Sequence, residues 1–257
     1  MDFQESTIAN DFETREKNPL ARRLASHSEF SEKELQALLS LPLKIVAIDA
    51  DTDLLAEGER PTQSCVVLSG FLCRYKLLEE GKRQILSFHL PGDMPDLHSF
   101  HLPRMDHSLC SLTPSQVAFV SHQSIDRLME RAPKLAAVLW RSSLVDASVL
   151  RQWMANNGRR TARQRISHVL CELLVRHRAI GLAQDRRYRF PVTQIELGDV
   201  IGASVVHVNR VLKDLRGDGL VTIAAGYVSV LDWPGLKEAA GFDASYLHLL
   251  KGDTWVS

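Results

Sequence analysis

Between Thr193 and Lys213 the sequence lines up side chains able to hold and read a nucleic acid: Thr193, Gln194, Ser204, Val206, His207, Asn209, Arg210 and Lys213. Arg210 carries a planar fork of donors that matches O6 and N7 of guanine, a contact worth about 1–3 kcal/mol of discrimination. Asn209 suits adenine or a phosphate. His207 and Lys213 suit the phosphate backbone, which takes most protein–DNA hydrogen bonds. Val206 offers only an apolar contact, such as to a thymine methyl. Thr193 and Gln194 open one helix and Ser204 opens the next, and helix N-termini are ready phosphate contacts.

Those residues need two short helices joined by a tight turn. Thr193 with Glu196 three residues on is a capping-box arrangement, and Leu197, Val200 and Ile201 form the apolar side of the first helix. Gly202 and Ala203 supply the turn, glycine tolerating positive φ. Ser204 caps a second helix whose Val208, Val211, Leu212 and Leu215 repeat at helical spacing. Small Gly198 lets the helices approach. At about 100° per residue, Val206, His207, Asn209, Arg210 and Lys213 fall opposite the apolar side. The pattern is that of a helix-turn-helix whose second helix, 204–215, enters the DNA major groove.

Charge distribution agrees. The chain of 257 residues is neutral overall, with 31 basic and 31 acidic residues, yet 158–216 holds 12 basic against 5 acidic ones. Positive charge therefore gathers where phosphate contacts would need it. Arg159, Arg160, Arg163 and Arg165 either meet phosphate or form a solvated helix end. No apolar run approaches the ~18–20 residues of a membrane span. The N-terminus has no signal pattern, so a cytoplasmic protein without membrane partners is expected. Cys65, Cys73, Cys110 and Cys171 are too dispersed for a zinc knuckle or a disulfide framework. Without a nucleophile–base pair, phosphate loop or zinc-protease motif, no catalytic residues are assigned and an enzyme is not expected.

Ahead of this region the periodicity changes. Residues 1–18 read as a polar tail. Short helices follow from Pro19 to about Ser40, one with a capping box at Ser31 and Glu34. Strand-like runs then span 43–48, 65–68, 72–77, 84–89, 109–112 and 117–120, punctuated by Glu57-Gly58-Glu59, Ser69-Gly70, Glu80-Gly81 and Pro91-Gly92-Asp93. Many short strands imply a roll, sandwich or barrel. After a short capped helix from Ser121, Pro133 opens a helix of about 24 residues that Asn156-Asn157-Gly158 should end. Its stripe is Leu135, Val138, Leu139, Ser142, Val145, Val149, Gln152 and Trp153. A hairpin at 220–231 reads as a wing, and Pro234 to Leu250 as a helical appendage. The expected class is thus α+β. Its order is a tail (1–18), an N-terminal β-roll or jelly-roll domain (19–132), a long helix (133–157) and a winged helix-turn-helix domain with its appendage (158–257).

The motifs Glu57-Gly58-Glu59, Val67-Leu68-Ser69-Gly70, Glu80-Gly81-Lys82, Ile85-Leu86-Ser87-Phe88 and Pro91-Gly92-Asp93 resemble the cyclic-nucleotide-binding β-roll of the Crp/Fnr family of bacterial transcription regulators. The similarity runs from about residue 40 to residue 231. It implies a transcription regulator acting as a homodimer through the long helix, with double-stranded DNA and RNA polymerase as partners. The half-sites would lie about 34 Å apart. Arg210 matches the family's guanine-reading arginine, whereas Val206 stands where most relatives carry glutamate, so a different operator is implied. A competing reading is a sensory roll that works mainly through a protein partner, with a degenerate C-terminal domain.

The resemblance places an effector pocket at Gly92, Asp93, Asp96, Arg104 and Asp106. Cyclic AMP is not expected there. Pro95-Asp96 replaces the glycine–glutamate pair that holds the ribose, and Met105 and Asp106 stand near the phosphate-binding positions, where a cation is needed. The cysteine cluster of Fnr-type oxygen sensors is absent from the N-terminal segment. His89, His98, His101, His107 and Cys110 are of the right type for a metal or haem, but their spacing matches no known site, so no metal or other cofactor is assigned.

Overall fold

A computed structural model describes residue 14 and residues 16–250, so most of the expected 1–18 tail lies outside it. The chain divides into two compact units, Met1–Lys76 with Ser87–Asp146 and Leu77–Leu86 with Ala147–Ser257.

The first unit is a β-roll covered by helices. Strands β1 (Lys44–Ile48), β7 (Ser115–Ser121) and β3 (Gln63–Ser69) form one antiparallel sheet in the order β1-β7-β3. Strands β2 (Thr52–Leu55), β6 (Ser108–Ser111), β4 (Leu72–Leu77) and β5 (Arg83–His89) form the other. Strand β2 has no apolar alternation and does not stand out in the sequence. It pairs with β6 through an irregularity between Asp53 and Leu55.

The apolar run Cys65-Val66-Val67-Leu68 is explained by burial on both faces. Cys65 and Val67 point between the sheets with Leu72, Met105, Leu109, Val117 and Phe119. Val66 and Leu68 point the other way, with Ala118 and Val120, into a core supplied by helices. Those helices are α1 (Pro19–Ala25), α2 (Glu32–Leu39), α3 (His122–Arg131) and the start of α4 (Pro133–Arg159). The capping box on α2 forms as expected, Ser31 N–H donating to Glu34 Oε2 at 2.6 Å.

Helix α4 spans 27 residues and passes through Asn156, Asn157 and Gly158 rather than ending there. Asn157 is needed elsewhere, donating to the Val200 carbonyl at 3.0 Å, and a single glycine costs a helix only ~1 kcal/mol.

The second unit is a helical core with a small sheet. Helix α5 (Ala162–Ala179), capped by Thr161, buries Ile166, Val169, Leu170, Leu173 and Leu174. Strands β8 (Arg187–Arg189), β10 (Tyr227–Val230) and β9 (Val221–Ala224) pair antiparallel, with a turn at Ala225-Gly226, both at positive φ. Helices α6 (Gln194–Ile201) and α7 (Val205–Gly217) lie in the chain between them, and α8 (Trp233–Ala240) follows.

The appendage is fixed by a buried polar knot. Glu172 on α5 is fully buried and accepts from Trp153 Nε1 at 2.9 Å, Tyr246 O–H at 2.7 Å and Arg176 Nη1 at 3.2 Å. Buried His168 beside it accepts from Arg160 Nη1 at 2.9 Å through Nδ1, which places its own proton on Nε2, towards Tyr246. Burial, then the Arg160 charge, push the His168 pKa down to about 3.

Candidate nucleic-acid interface and sensory residues

Helix α6 starts at Thr193, whose N–H donates to Glu196 Oε2 at 2.6 Å while its Oγ1 accepts from Glu196 N–H at 3.2 Å. Gly202 ends the helix in the left-handed region, φ 65 and ψ 44. Three carbonyls at this end have no helical partner and are met by side chains of the same unit. Gln84 donates to Asp199 and Val200, Asn157 to Val200, and Arg165 to Ile201 at 2.7 Å. A Cβ on Gly198 would stand 2.6 Å from the Ala203 carbonyl oxygen, so the turn closes against bare backbone.

Ser204 then caps α7, its Oγ accepting from His207 N–H at 3.4 Å. Val208, Val211, Leu212 and Leu215 are buried. Opposite them Val206, Asn209, Arg210 and Lys213 are exposed and His207 is half-buried, the arrangement expected from the sequence. Val206 is 81% exposed, a position no monomer core explains. Asn209 Nδ2 donates to Gln194 Oε1 at 3.0 Å, joining the start of α6 to the exposed face of α7. Arg210 Nη2 lies 3.5 Å from His207 Nδ1. Thr193 is exposed and Gln194 half-buried.

Of the arginines ahead of the helix pair, three are structural. Arg160 holds Asn156, His168 and the Gly241 carbonyl; Arg163 pairs with Asp218 at 2.6 Å; Arg165 holds the carbonyls of Arg160 and Ile201. Arg159 is exposed. Sequence reasoning overlooked Arg187 and Arg189, which project from the exposed face of β8 while Tyr188 and Phe190 are buried. The alternation Arg-Tyr-Arg-Phe is the signal that would have found them. The Arg187 guanidinium sits 4.2 Å over the Tyr227 ring.

In the first unit Gly92, Asp93, Asp96 and Asp106 have separate engagements. Gly92 has φ 94, and a Cβ there would run into the Pro19 carbonyl of α1. Asp93 is buried, pairing with Arg23 of α1 at 2.5 Å and accepting from Leu90 N–H. Asp96 is fully buried and accepts from Cys65 N–H at 2.8 Å; burial pushes its pKa up to about 7. Arg104 is exposed. Asp106 is exposed and accepts from His107 Nδ1 at 2.6 Å.

The cation the sequence reading missed is Arg74 on β4, 4% exposed, donating to the Pro95 carbonyl and pairing with Asp146 of α4 at 2.5 Å. Burial and then the Arg74 charge hold His98 down to about pKa 4, and the same causes lower His107. The four cysteines are buried and none is in a disulfide among the described residues. No described helix is long and apolar enough to cross a membrane.

Two family models match the two halves of this architecture: a cyclic nucleotide-binding domain over residues 45–132 and a Crp-like helix-turn-helix domain over residues 164–239. The chain is 27% identical over 220 residues to the transcriptional activator protein anr of Pseudomonas aeruginosa, covering 80% of this chain and 90% of that one. It is 24% identical over 221 residues to an anaerobic regulatory protein of Haemophilus influenzae, covering 86% of each. The solved structure of FixK2 from Bradyrhizobium japonicum superposes with a TM-score of 0.70 at 25% identity, covering 77% of this chain and 98% of that one. With both domain types in this order, on a helix-turn-helix whose exposed face carries Asn209 and Arg210, the chain belongs to the Crp/Fnr family of DNA-binding transcription regulators.

Proposed function

We propose that the protein acts as a homodimer on a two-fold-related DNA site, with α7 in the major groove, Arg210 on a guanine and Asn209 on an adenine or phosphate. Thr193, Gln194, Ser204, His207 and Lys213 hold the backbone, joined by Arg187 and Arg189. The carrying observation is the exposed set Val206, Asn209, Arg210 and Lys213 standing opposite a fully buried apolar side on one short helix. A cytoplasmic location and contact with RNA polymerase follow from the same reading.

Dimerisation is supported by α4, though by another face than the one expected to pair. Leu135, Val138, Leu139, Val145, Val149 and Trp153 are buried within the single chain. Trp140, Leu144 and Met154 are 69%, 57% and 75% exposed, and with Ala147 and Arg151 they follow a 4-3-4-3 spacing. That is the spacing of a two-stranded coiled-coil seam.

The effector of this reading is not a cyclic nucleotide. Arg74, the buried cation of the roll, is committed to Pro95 and Asp146, and exposed Asp106 adds negative charge. The protein-partner alternative is disfavoured by the intact capping, turn and exposed polar face of the helix pair.

The test is operator selection from random duplexes, followed by binding titrations of wild type and Arg210→Ala at two salt concentrations. Arg210→Ala keeps weak, salt-sensitive binding and loses preference for the selected site. Unchanged operator affinity overturns the assignment.

A further inference from the structure

The loop between β5 and β6 brings together three groups that the DNA-binding reading does not use. His98 sits in a single helical turn at Leu97–Phe100, and Asp106 and His107 immediately precede β6. One ligand atom from each lies within 4.8 Å of the other two. The His98 and His107 rings are 5.1 Å apart, and His98 Nε2 lies 4.0 Å from Asp106 Oδ1.

The hydrogen bonds around the cluster leave it incomplete. His107 Nδ1 donates to Asp106 Oδ1, so the lone pair of that ring is on Nε2. His107 Nε2 is buried and has no partner, and the same holds for His98 Nε2. Two buried nitrogens without partners, side by side, are costly unless something is held between them.

We propose that His98, His107 and Asp106 bind a divalent first-row transition-metal ion of the zinc type. Two imidazole nitrogens and one carboxylate suit Zn2+ and its neighbours, whereas Mg2+ and Ca2+ prefer all-oxygen sets. Tetrahedral zinc wants ligand atoms about 3.3 Å apart, given bonds of about 2.0–2.1 Å. The cluster, whose ligand atoms lie up to 4.8 Å apart, therefore closes by up to about 1.5 Å, and Asp106, with a side chain 79% exposed, has room to leave His107 Nδ1 and join the ion. A fourth position stays open. The ion fastens the turn carrying His98 to the start of β6 and closes the exposed segment His101–Arg104 into a loop. This assignment stands whether or not the DNA contacts above are right.

The full chain, stripped with chelator, is titrated with Zn2+ against a chromophoric competitor and with Co2+ by visible absorption. Wild type is expected to bind one ion per chain, with Co2+ d–d bands and no thiolate charge-transfer band, and to ignore Mg2+. His98→Gln and His107→Gln each weaken binding by about 100-fold or more, since even outer partners of a metal ligand matter 10–100-fold. His101→Ala, exposed in the same loop, leaves affinity unchanged. Thermal unfolding in chelator shows whether each variant is folded, and Asp106→Asn, altered at an exposed carboxylate, gives a second route if a histidine variant is not. The proposal is overturned if wild type binds no stoichiometric Zn2+, if folded histidine variants or Asp106→Asn keep wild-type affinity, or if the Co2+ spectrum shows thiolate ligation.

Discussion

Replacing Gly198 with alanine tests whether the turn of the helix-turn-helix is closed by backbone contact. The added Cβ would stand 2.6 Å from the Ala203 carbonyl oxygen, where ordinary contact begins near 3.4 Å, so α6 and the turn must separate by about 0.8 Å. The obstructing atom is backbone and cannot rotate away, and Ala203 is held by its own N–H to the Gly198 carbonyl at 3.1 Å. Overpacking of this kind costs about 1–3 kcal/mol. Gly202, four residues on, gives the contrast. A Cβ there meets open space, and the whole cost is its left-handed φ of 65, about 1–2 kcal/mol for a side chain. Both variants lose stability in urea unfolding of the full chain. In anisotropy titrations with operator DNA only Gly198→Ala also loses affinity, by roughly tenfold, because it shifts the start of α7 against α6 and so displaces Asn209 from Gln194 and moves Arg210. Equal affinity in the two variants, or a Gly198→Ala protein as stable as wild type, would refute the argument.

Further outcomes follow from other buried or exposed groups. Glu172→Gln removes the charge facing Arg176 and, with its one oxygen kept for the Trp153 and Tyr246 donors, sets a donor amide against the Arg176 guanidinium, so stability falls by about 3–5 kcal/mol. At about 2–4 °C per kcal/mol the Tm drops by roughly 6–20 °C in a thermal scan, and a shift of a degree or two would remove the knot from the account. Trp140→Glu with Leu144→Glu places charge in the exposed seam of α4 and converts the dimer to a monomer in size-exclusion chromatography with light scattering; a persistent dimer would relocate the interface. His168 is held neutral in the folded chain, with a pKa of about 3 against 6.5 unfolded. The unfolded state therefore binds the extra proton between those values, so stability is full above pH 6.5 and lost as pH falls toward 3. The slope approaches 1.4 kcal/mol per pH unit, and His168→Gln should flatten it in urea titrations run at several pH values.

The DNA-reading helices were legible because local rules act there without competition: two caps, one left-handed glycine and one apolar side at helical spacing each have a single structural solution. The long helix was legible in extent but not in orientation. Its sequence carries apolar residues on two faces, and periodicity alone does not say which is covered by the same chain; Val138 and Val145 are core while Trp140 and Leu144 face outward. The effector positions were least legible. Asp96 and Asp93 read as pocket carboxylates because the resemblance to a cyclic-nucleotide-binding roll places a ligand around the Pro91-Gly92-Asp93 turn. Both are occupied by backbone N–H groups, from Cys65 and Leu90, that no sequence pattern reveals. Met105, near the expected phosphate position, is a core residue at 1% exposure.

The basic character of residues 158–216 also changes meaning once the side chains are placed. Counted along the sequence, twelve cations suggest a broad phosphate-binding surface. Arg160, Arg165 and Arg176 are instead engaged by carbonyls and Glu172 within the unit, and Arg163 pairs with Asp218. The exposed cations are a smaller group: Arg187 and Arg189 on β8, Arg210, Lys213 and Arg216 on α7, and Arg159 at the end of α4. Few cations limit the sequence-independent attraction that counterion release provides. In the proposed complex, discrimination then rests more heavily on Asn209, Arg210 and the apolar surface of Val206. On that proposal, affinity comes from pairing two such faces across a dimer, so the exposed stripe of α4 would matter to DNA recognition as much as the residues in the groove.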